Sequence, residues 1–318
     1  MPSSERKSQL RHGALDALRR GWAIIPDEVR CVRDRWNAVF CVTLGSQRYG
    51  LRLASPDYHP VPAVRGELRF LDLLPSALLC PRPMPTRTGD VLLTAPFGEL
   101  EHTSAILYPW LEGRKPVSNE RLFSELGQTT RILHDAARSV PPGVSETRPH
   151  WTSDRLRRYW FAPHDARAWQ GLDAVPTARF SEAFERLADF EASAPAPVLI
   201  HADLHLGNLL WVGQRLAVLD FDDCGLASPL YDLAVPLASK RHSVTSSAAD
   251  TLLQGYADTV DRRALGVHLA ARSAAAALFV RGWALTHTEF RPRVERDIAE
   301  ASSFVAKTLH EIDTGRVG

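Results

Sequence analysis

Lysine is almost missing from this chain. Only Lys7, Lys115, Lys240 and Lys307 occur in 318 residues, so arginine carries nearly all of the positive charge. A one-sided charge is missing too: 38 basic residues face 37 acidic ones, for a net charge of +1. That balance argues against nucleic acid or a membrane surface as the partner. The opening MPSSERKSQLRHG is polar, no long apolar run follows it, and no stretch approaches the roughly 20 apolar residues of a membrane helix. Cys31, Cys41, Cys80 and Cys224 are scattered without metal-ligand spacing, which excludes a zinc motif and gives no basis for a disulfide framework. The expectation is a cytoplasmic protein with reduced thiols. No fixed-period repeat and no G-x-G-x-x-G turn before the strand-like YGLRLA are found. What remains, 45% apolar and 24% charged residues, is the composition of a globular protein, long enough for two hydrophobic cores.

Residues 8–20 suit an amphipathic helix with Leu10, Ala14 and Leu18 on one face. CVRDRWNAVFCV and QRYGLRLA are β-rich runs split by LGSQ, a turn signal, and read as a hairpin. Pro-rich SPDYHPVPAV leads to a helical RGELRFLDLL. A loop and a second hairpin then precede AILYPWLEG, a strand leaving the first lobe. From Ser118 the period is helical: Leu122, Leu126, Thr129 and Leu133 share a face, with Ser118 or Asn119 as N-cap. Residues 139–150 read as a loop. RLRRYWFAPHDARAW and FSEAFERLADFEA read as helices, APAPVLI as a buried strand, and the chain beyond Pro236 as mostly helical. The outline is an α+β protein with a β-rich N-terminal lobe (1–108), a hinge (109–115) and a larger helical lobe (116–318).

Residues 201–223, HADLHLGNLLWVGQRLAVLDFDD, place Asp203, Asn208, Asp220, Asp222 and Asp223 around a strand that should be buried. Carboxylates so placed need a compensating metal, cation or donor. Asp203 and Asn208 lie on one loop that can aim both side chains into one site, and Asp220 follows a strand-like AVL. Oxygen ligands from Asn and Asp suit Mg²⁺, which shares its remaining positions with water and phosphate oxygens. A carboxylate outside the metal shell can orient a substrate hydroxyl and accept its proton. That division of labour is the phosphoryl-transfer arrangement of kinases. His205, a lone loop histidine, reads as a packing or hydrogen-bonding residue. Trp151, Trp160 and Trp211 read as core or groove aromatics.

HADLHLGN followed by LDFDD, with LYDLA at 230–234, resembles the aminoglycoside phosphotransferase family of kinase-like enzymes, which includes choline, homoserine and stress-response kinases. The resemblance implies a two-lobed protein-kinase-like fold. It implies Asp203 as catalytic base, Asn208 as a metal ligand and Asp220 as the principal Mg²⁺ ligand. Asp222 stands where it could reach a second metal or cap the loop, and Asp223 is expected to be structural. His201 supports the loop, and Asp232 holds it from below.

A kinase site also needs a cation on the triphosphate, commonly a strand lysine paired with a helix glutamate. Here that strand position, in YGLRLA, is Arg52, and the helix partner is Glu67. Arginine binds phosphate bidentately and stays charged, with a geometry unlike that of lysine. RDRWNAVFCV takes the place of the phosphate-covering turn, which makes Trp36, Asn37 and the backbone near Ala38 candidates. The hinge should meet adenine near Tyr108 and Trp110; Pro109 has no N–H, so a neighbour such as Trp110 must donate. The expectation is therefore ATP and Mg²⁺ as cofactors and a small-molecule hydroxyl as acceptor. From Lys240 onward eleven Lys/Arg face nine Asp/Glu, which favours a smaller alcohol or amino-alcohol over a polycationic aminoglycoside. A protein Ser/Thr acceptor and a pseudokinase without transfer are the alternatives.

Overall fold

The structure is a computed structural model, and it describes residues 4–34, 37–55, 58–97, 104–158, 165–238, 246–285 and 287–316. Trp36, Trp160 and Lys240 lie outside the described residues. The chain forms two compact units, each of three segments. The first takes 1–114, 141–148 and 212–222; the second takes 115–140, 149–211 and 223–318. Asp220 and Asp222 therefore belong to the first unit, whereas Asp203 and Asn208 belong to the second.

In the first unit α1 (Ser4–Trp22) precedes the meander β1 (Glu28–Asp34), β2 (Asn37–Leu44) and β3 (Gln47–Ala54). Then follow α2 (Val61–Leu73), β4 (Leu93–Thr94) and β5 (Ser104–Pro109). The sheet order is β1-β2-β3-β5-β4, antiparallel throughout. The expected hairpin is β2–β3: Leu44 pairs with Gln47, and Gly45, at φ +56°, supplies the left-handed turn. The first run of that hairpin is two strands rather than one, and β1 slips register between Cys31 and Arg33, a bulge. Leu10, Ala14 and Leu18 of α1 are buried against Phe40, Val42, Leu51, Leu53 and Leu107. Helix α2 starts inside the Pro-rich stretch, with Pro60 as N-cap and Pro62 in the first turn, where a missing N–H leaves no bond unmade. The 139–150 loop contains one helical turn, α4 (Pro142–Ser145). Strand β8 (Arg215–Val218) lies beside residue 79, with Val218 N–H donating to the Leu79 carbonyl at 2.9 Å.

The second unit is helical: α3 (Glu120–Ala137), α5 (Ser153–Arg157), α6 (Asp165–Trp169), α7 (Ala174–Ser193), α8 (Pro229–Ala238), α9 (Ser246–Tyr256), α10 (Arg262–Ala284) and α11 (Val294–Thr314). Short strands β6 (Val198–Ile200), β7 (Leu209–Val212) and β9 (Gly225–Ala227) interrupt it, β6 and β9 pairing antiparallel. Asn119 caps α3, its side chain accepting from Leu122 N–H at 2.9 Å. The helix expected beyond Pro236 begins at Pro229 and runs through that proline, so YDLA forms its first half. Helix α10 is long and apolar enough to cross a membrane by length and composition, yet 72% of that window is buried inside the protein. It packs among Phe180, Ile200, Ile298 and Val305 as the central helix of the unit's core. Cys41, Cys80 and Cys224 are buried and Cys31 is exposed, all as free thiols.

Candidate active site

In the second unit β6 delivers the chain into the loop 201–208, and Asp232 of α8 fixes that loop from within. Its carboxylate is fully buried and accepts from His201 N–H (2.8 Å) and Ala202 N–H (2.7 Å). His134 Nε2 lies 3.1 Å from the same carboxylate, and its Nδ1 lies 3.0 Å from the Tyr256 hydroxyl. The anchor holds Ala202 at φ +66°, a left-handed conformation that costs an alanine energy. His201 is buried, and its Nδ1 accepts from Asp203 N–H at 3.3 Å.

The Asp203 carboxylate has three donors around it. Asn208 Nδ2 donates to Oδ2 at 3.0 Å, His205 Nε2 lies 3.3 Å from Oδ2, and Arg272 Nη2 lies 3.3 Å from Oδ1. Asn208 Nδ2 also donates to the Asp203 carbonyl at 3.0 Å. Turning the amide over would set Oδ1 against two acceptors, so the orientation is fixed and Oδ1 is the atom left to meet a ligand. His205 Nδ1 accepts from Gly207 N–H at 2.8 Å, which puts the ring proton on Nε2, facing Asp203. Arg272 adds a fixed positive charge beside Asp203. Burial, the largest single influence, pushes the Asp203 carboxyl up; His205, Arg272 and His201 together outweigh it and hold the group below the usual carboxylate range. Asp203 is thus a positioned carboxylate, ready to accept a hydroxyl's hydrogen bond. Lys115 Nζ donates to the Gly207 carbonyl at 2.5 Å and ties down the same loop.

In the first unit Arg52 and Glu67 meet as a fork. Nη1 donates to Oε1 at 2.9 Å and Nη2 to Oε2 at 2.7 Å, with Arg52 6% and Glu67 1% exposed. Asp222 closes the cluster, accepting from Arg52 Nη1 on Oδ1 and from Asn37 Nδ2 on Oδ2. Both Asp222 oxygens are engaged inside the unit, and its backbone carbonyl accepts from Arg148. Asn37, expected at the phosphates, is 2% exposed and accepts from Ser55 N–H at 3.3 Å. Burial pushes Asp222 up, with Asp220 and Glu67 adding to it and Arg52 opposing. Burial also pulls at the Arg52 charge, but Asp222 and Glu67 more than restore it. Asp220, itself at φ +64°, pairs with Arg33 Nη2 at 2.8 Å.

Tyr108 lies in the β3–β5 ladder opposite Gly50, and burial raises its phenol well above the ordinary value. Trp110 N–H donates to the Arg48 carbonyl at 3.1 Å, one step beyond the ladder. The donor expected for adenine is therefore engaged by the sheet. Asp223 contributes its carbonyl to Trp151 Nε1 at 2.8 Å. Arg33, Arg272 and Lys115 were not singled out by the sequence. Of these only Arg272 carried a signal, as a lone charge in an Ala-rich helical stretch.

Among the described residues no three His, Cys, Asp or Glu side chains gather as a metal cage. Asn208 in the second unit and Asp220 in the first each carry a hard oxygen of the kind a divalent cation takes as ligand.

A β-rich unit with a buried Arg–Glu pair and a helical unit with a D-x-x-x-x-N loop define the class, a two-lobed, protein-kinase-like α+β fold. Solved structures share it. A microcompartment-associated aminopropanol kinase is 21% identical, with 99% of each chain covered and a TM-score of 0.79. The amicoumacin kinase hAmiN, in complex with AMP-PNP, Ca²⁺ and Ami, is 18% identical, covering 95% of this chain and 96% of that one, TM-score 0.75. Residues 29–266 match the phosphotransferase enzyme family, and the chain belongs to it. In sequence it is 26% identical to amicoumacin kinase of Bacillus subtilis (strain 168), over 66% of this chain and 62% of that protein. It is 30% identical to homoserine kinase of Pseudomonas aeruginosa (strain LESB58), over 70% and 68%. The match thus spans less than two thirds of the amicoumacin kinase, and 54% of a homoserine kinase from Mesorhizobium japonicum.

Proposed function

We propose that the protein is a Mg²⁺- and ATP-dependent phosphotransferase acting on a hydroxyl group of a small molecule in the cytoplasm. The observation that carries this reading is Asp203: a carboxylate held by three donors beside an asparagine whose amide oxygen is left for a ligand. Asp203 orients the acceptor hydroxyl and receives its proton as the phosphoryl group moves. Asn208 and Asp220 would each offer an oxygen ligand to Mg²⁺, whose charge would offset that of the phosphates. Family membership and relatives named as kinases of amicoumacin, homoserine and aminopropanol support a small-molecule acceptor over a protein one. Arg272 beside Asp203 offsets that carboxylate, so the pair holds little net charge to draw a polycationic aminoglycoside, which supports a smaller alcohol or amino-alcohol.

Thermal melting tests the reading. ATP with Mg²⁺ is expected to stabilise the protein, by about 2.7 kcal/mol at roughly 100 times the dissociation constant. ATP without Mg²⁺ should give a smaller gain. A melting curve indifferent to both ATP and GTP, with or without Mg²⁺, overturns it.

A further inference from the structure

Resting on the nucleotide-binding reading above, we infer that Arg33, near the end of β1, carries the positive charge that meets the nucleotide's phosphates, while Arg52 is an internal charge that fixes Asp222. The two arginines differ in what they can offer. The Arg52 side chain is 7% exposed, and both terminal nitrogens are bonded to carboxylates, Glu67 through a two-bond fork and Asp222 through Nη1. Three of its five N–H donors are spent on these carboxylates, and its Nε is buried without a partner. The Glu67 fork alone already balances the charge of this guanidinium, which leaves little of it for a phosphate. Pulling Asp222 away to make room would strip it of Arg52 and of Asn37 while it stays buried, a costly exchange.

Arg33 is the opposite case. Its side chain is 41% exposed, and its Nη2 donates to Asp220 Oδ2 at 2.8 Å. A guanidinium has five N–H donors, so this contact leaves donors for a second anion. Asp220 is also the carboxylate proposed for Mg²⁺. An ion taking that oxygen would free the Arg33 fork, whose planar geometry suits phosphate bidentately. Asp220 holds the guanidinium close until then. Arg33 stands within RDRWN, the segment that takes the place of a glycine-rich turn, so the chain answers its shortage of lysine with an arginine two strands earlier than the usual position.

Calorimetric titration of adenosine, ADP and ATP into the full-length wild type, Arg33→Ala, Arg33→Lys and Arg52→Lys proteins tests this. For Arg33→Ala, ATP affinity should fall by about tenfold or more, the loss of one charge-assisted contact. ADP should lose less and adenosine nothing, with an unchanged melting point in the absence of nucleotide. Arg33→Lys should recover part of the ATP affinity. Arg52→Lys should lower that melting point and leave the ATP affinity of the folded protein near wild type. If Arg33→Ala binds ATP as wild type does, or loses adenosine equally, the inference is overturned while the nucleotide-site reading stands. A wild type that binds no nucleotide overturns both.

Discussion

Ala202 sits between a buried histidine and the proposed base, and at φ +66° it occupies backbone space that glycine enters freely. The N–H bond to Asp232 at 2.7 Å keeps it there. Ala202→Gly should relieve this strain and stabilise the protein by about 1 kcal/mol, after allowance for the more flexible unfolded glycine. Chemical denaturation would show it; a loss of stability would mean the loop conformation is set elsewhere. At this scale the sequence was legible where one segment holds all the partners. Asp203, Asn208 and the supporting Asp232 could be named from HADLHLGN and YDLA. The tautomer of His205 and the facing of the Asn208 amide could not, since both depend on where hydrogen-bond partners fall in space. Arg272 lies 69 residues from Asp203, and Arg33 lies 187 residues from Asp220, distances over which residue type alone says nothing of contact.

Helices α3 and α9 approach each other through a reciprocal pair of glycines. A Cβ on Gly127 would stand 2.2 Å from the Leu252 carbonyl oxygen, and one on Gly255 would stand 2.2 Å from that of Ser124. Backbone cannot yield as a flexible side chain does. Gly127→Ala and Gly255→Ala should each destabilise the second unit by about 3 kcal/mol, at the upper end of overpacking costs. A melting point unchanged in either variant would show that the helices can part. Because α3 carries His134, which reaches Asp232, this packing also bears on the loop that holds Asp203. Elements with a clear period were readable: Leu122, Leu126 and Leu133 of α3 are fully buried, as their spacing required. The run 31–42 was not, because a bulge and a strand break leave no mark in a β-rich composition. Helix α8 was misplaced because Pro236 reads as a helix start, whereas here the helix runs through it.

For the whole molecule, the order of lobes along the chain was legible and their composition from separate segments was not. Residues 141–148 and 212–222 return to the first unit, so Asp220 and Asp222 pack with the five-stranded sheet although they follow Asp203 closely in sequence. Packing decides that assignment, and packing has no local signature. The acidic run 201–223 nonetheless has its expected compensation: Asp203 has Arg272, Asp220 has Arg33 and Asp222 has Arg52. Transfer to a small-molecule hydroxyl is the claim that joins these parts. The direct measurement is ADP release with Mg²⁺ and ATP over a panel of hydroxyl metabolites, amino-alcohols, aminoglycosides and a protein acceptor, for wild type and Asp203→Asn. The account predicts release that depends on a small hydroxyl acceptor, and a fall of roughly 10²–10⁴ in Asp203→Asn with ATP affinity retained. Undiminished release by Asp203→Asn, or phosphorylation of the protein acceptor alone, would contradict it.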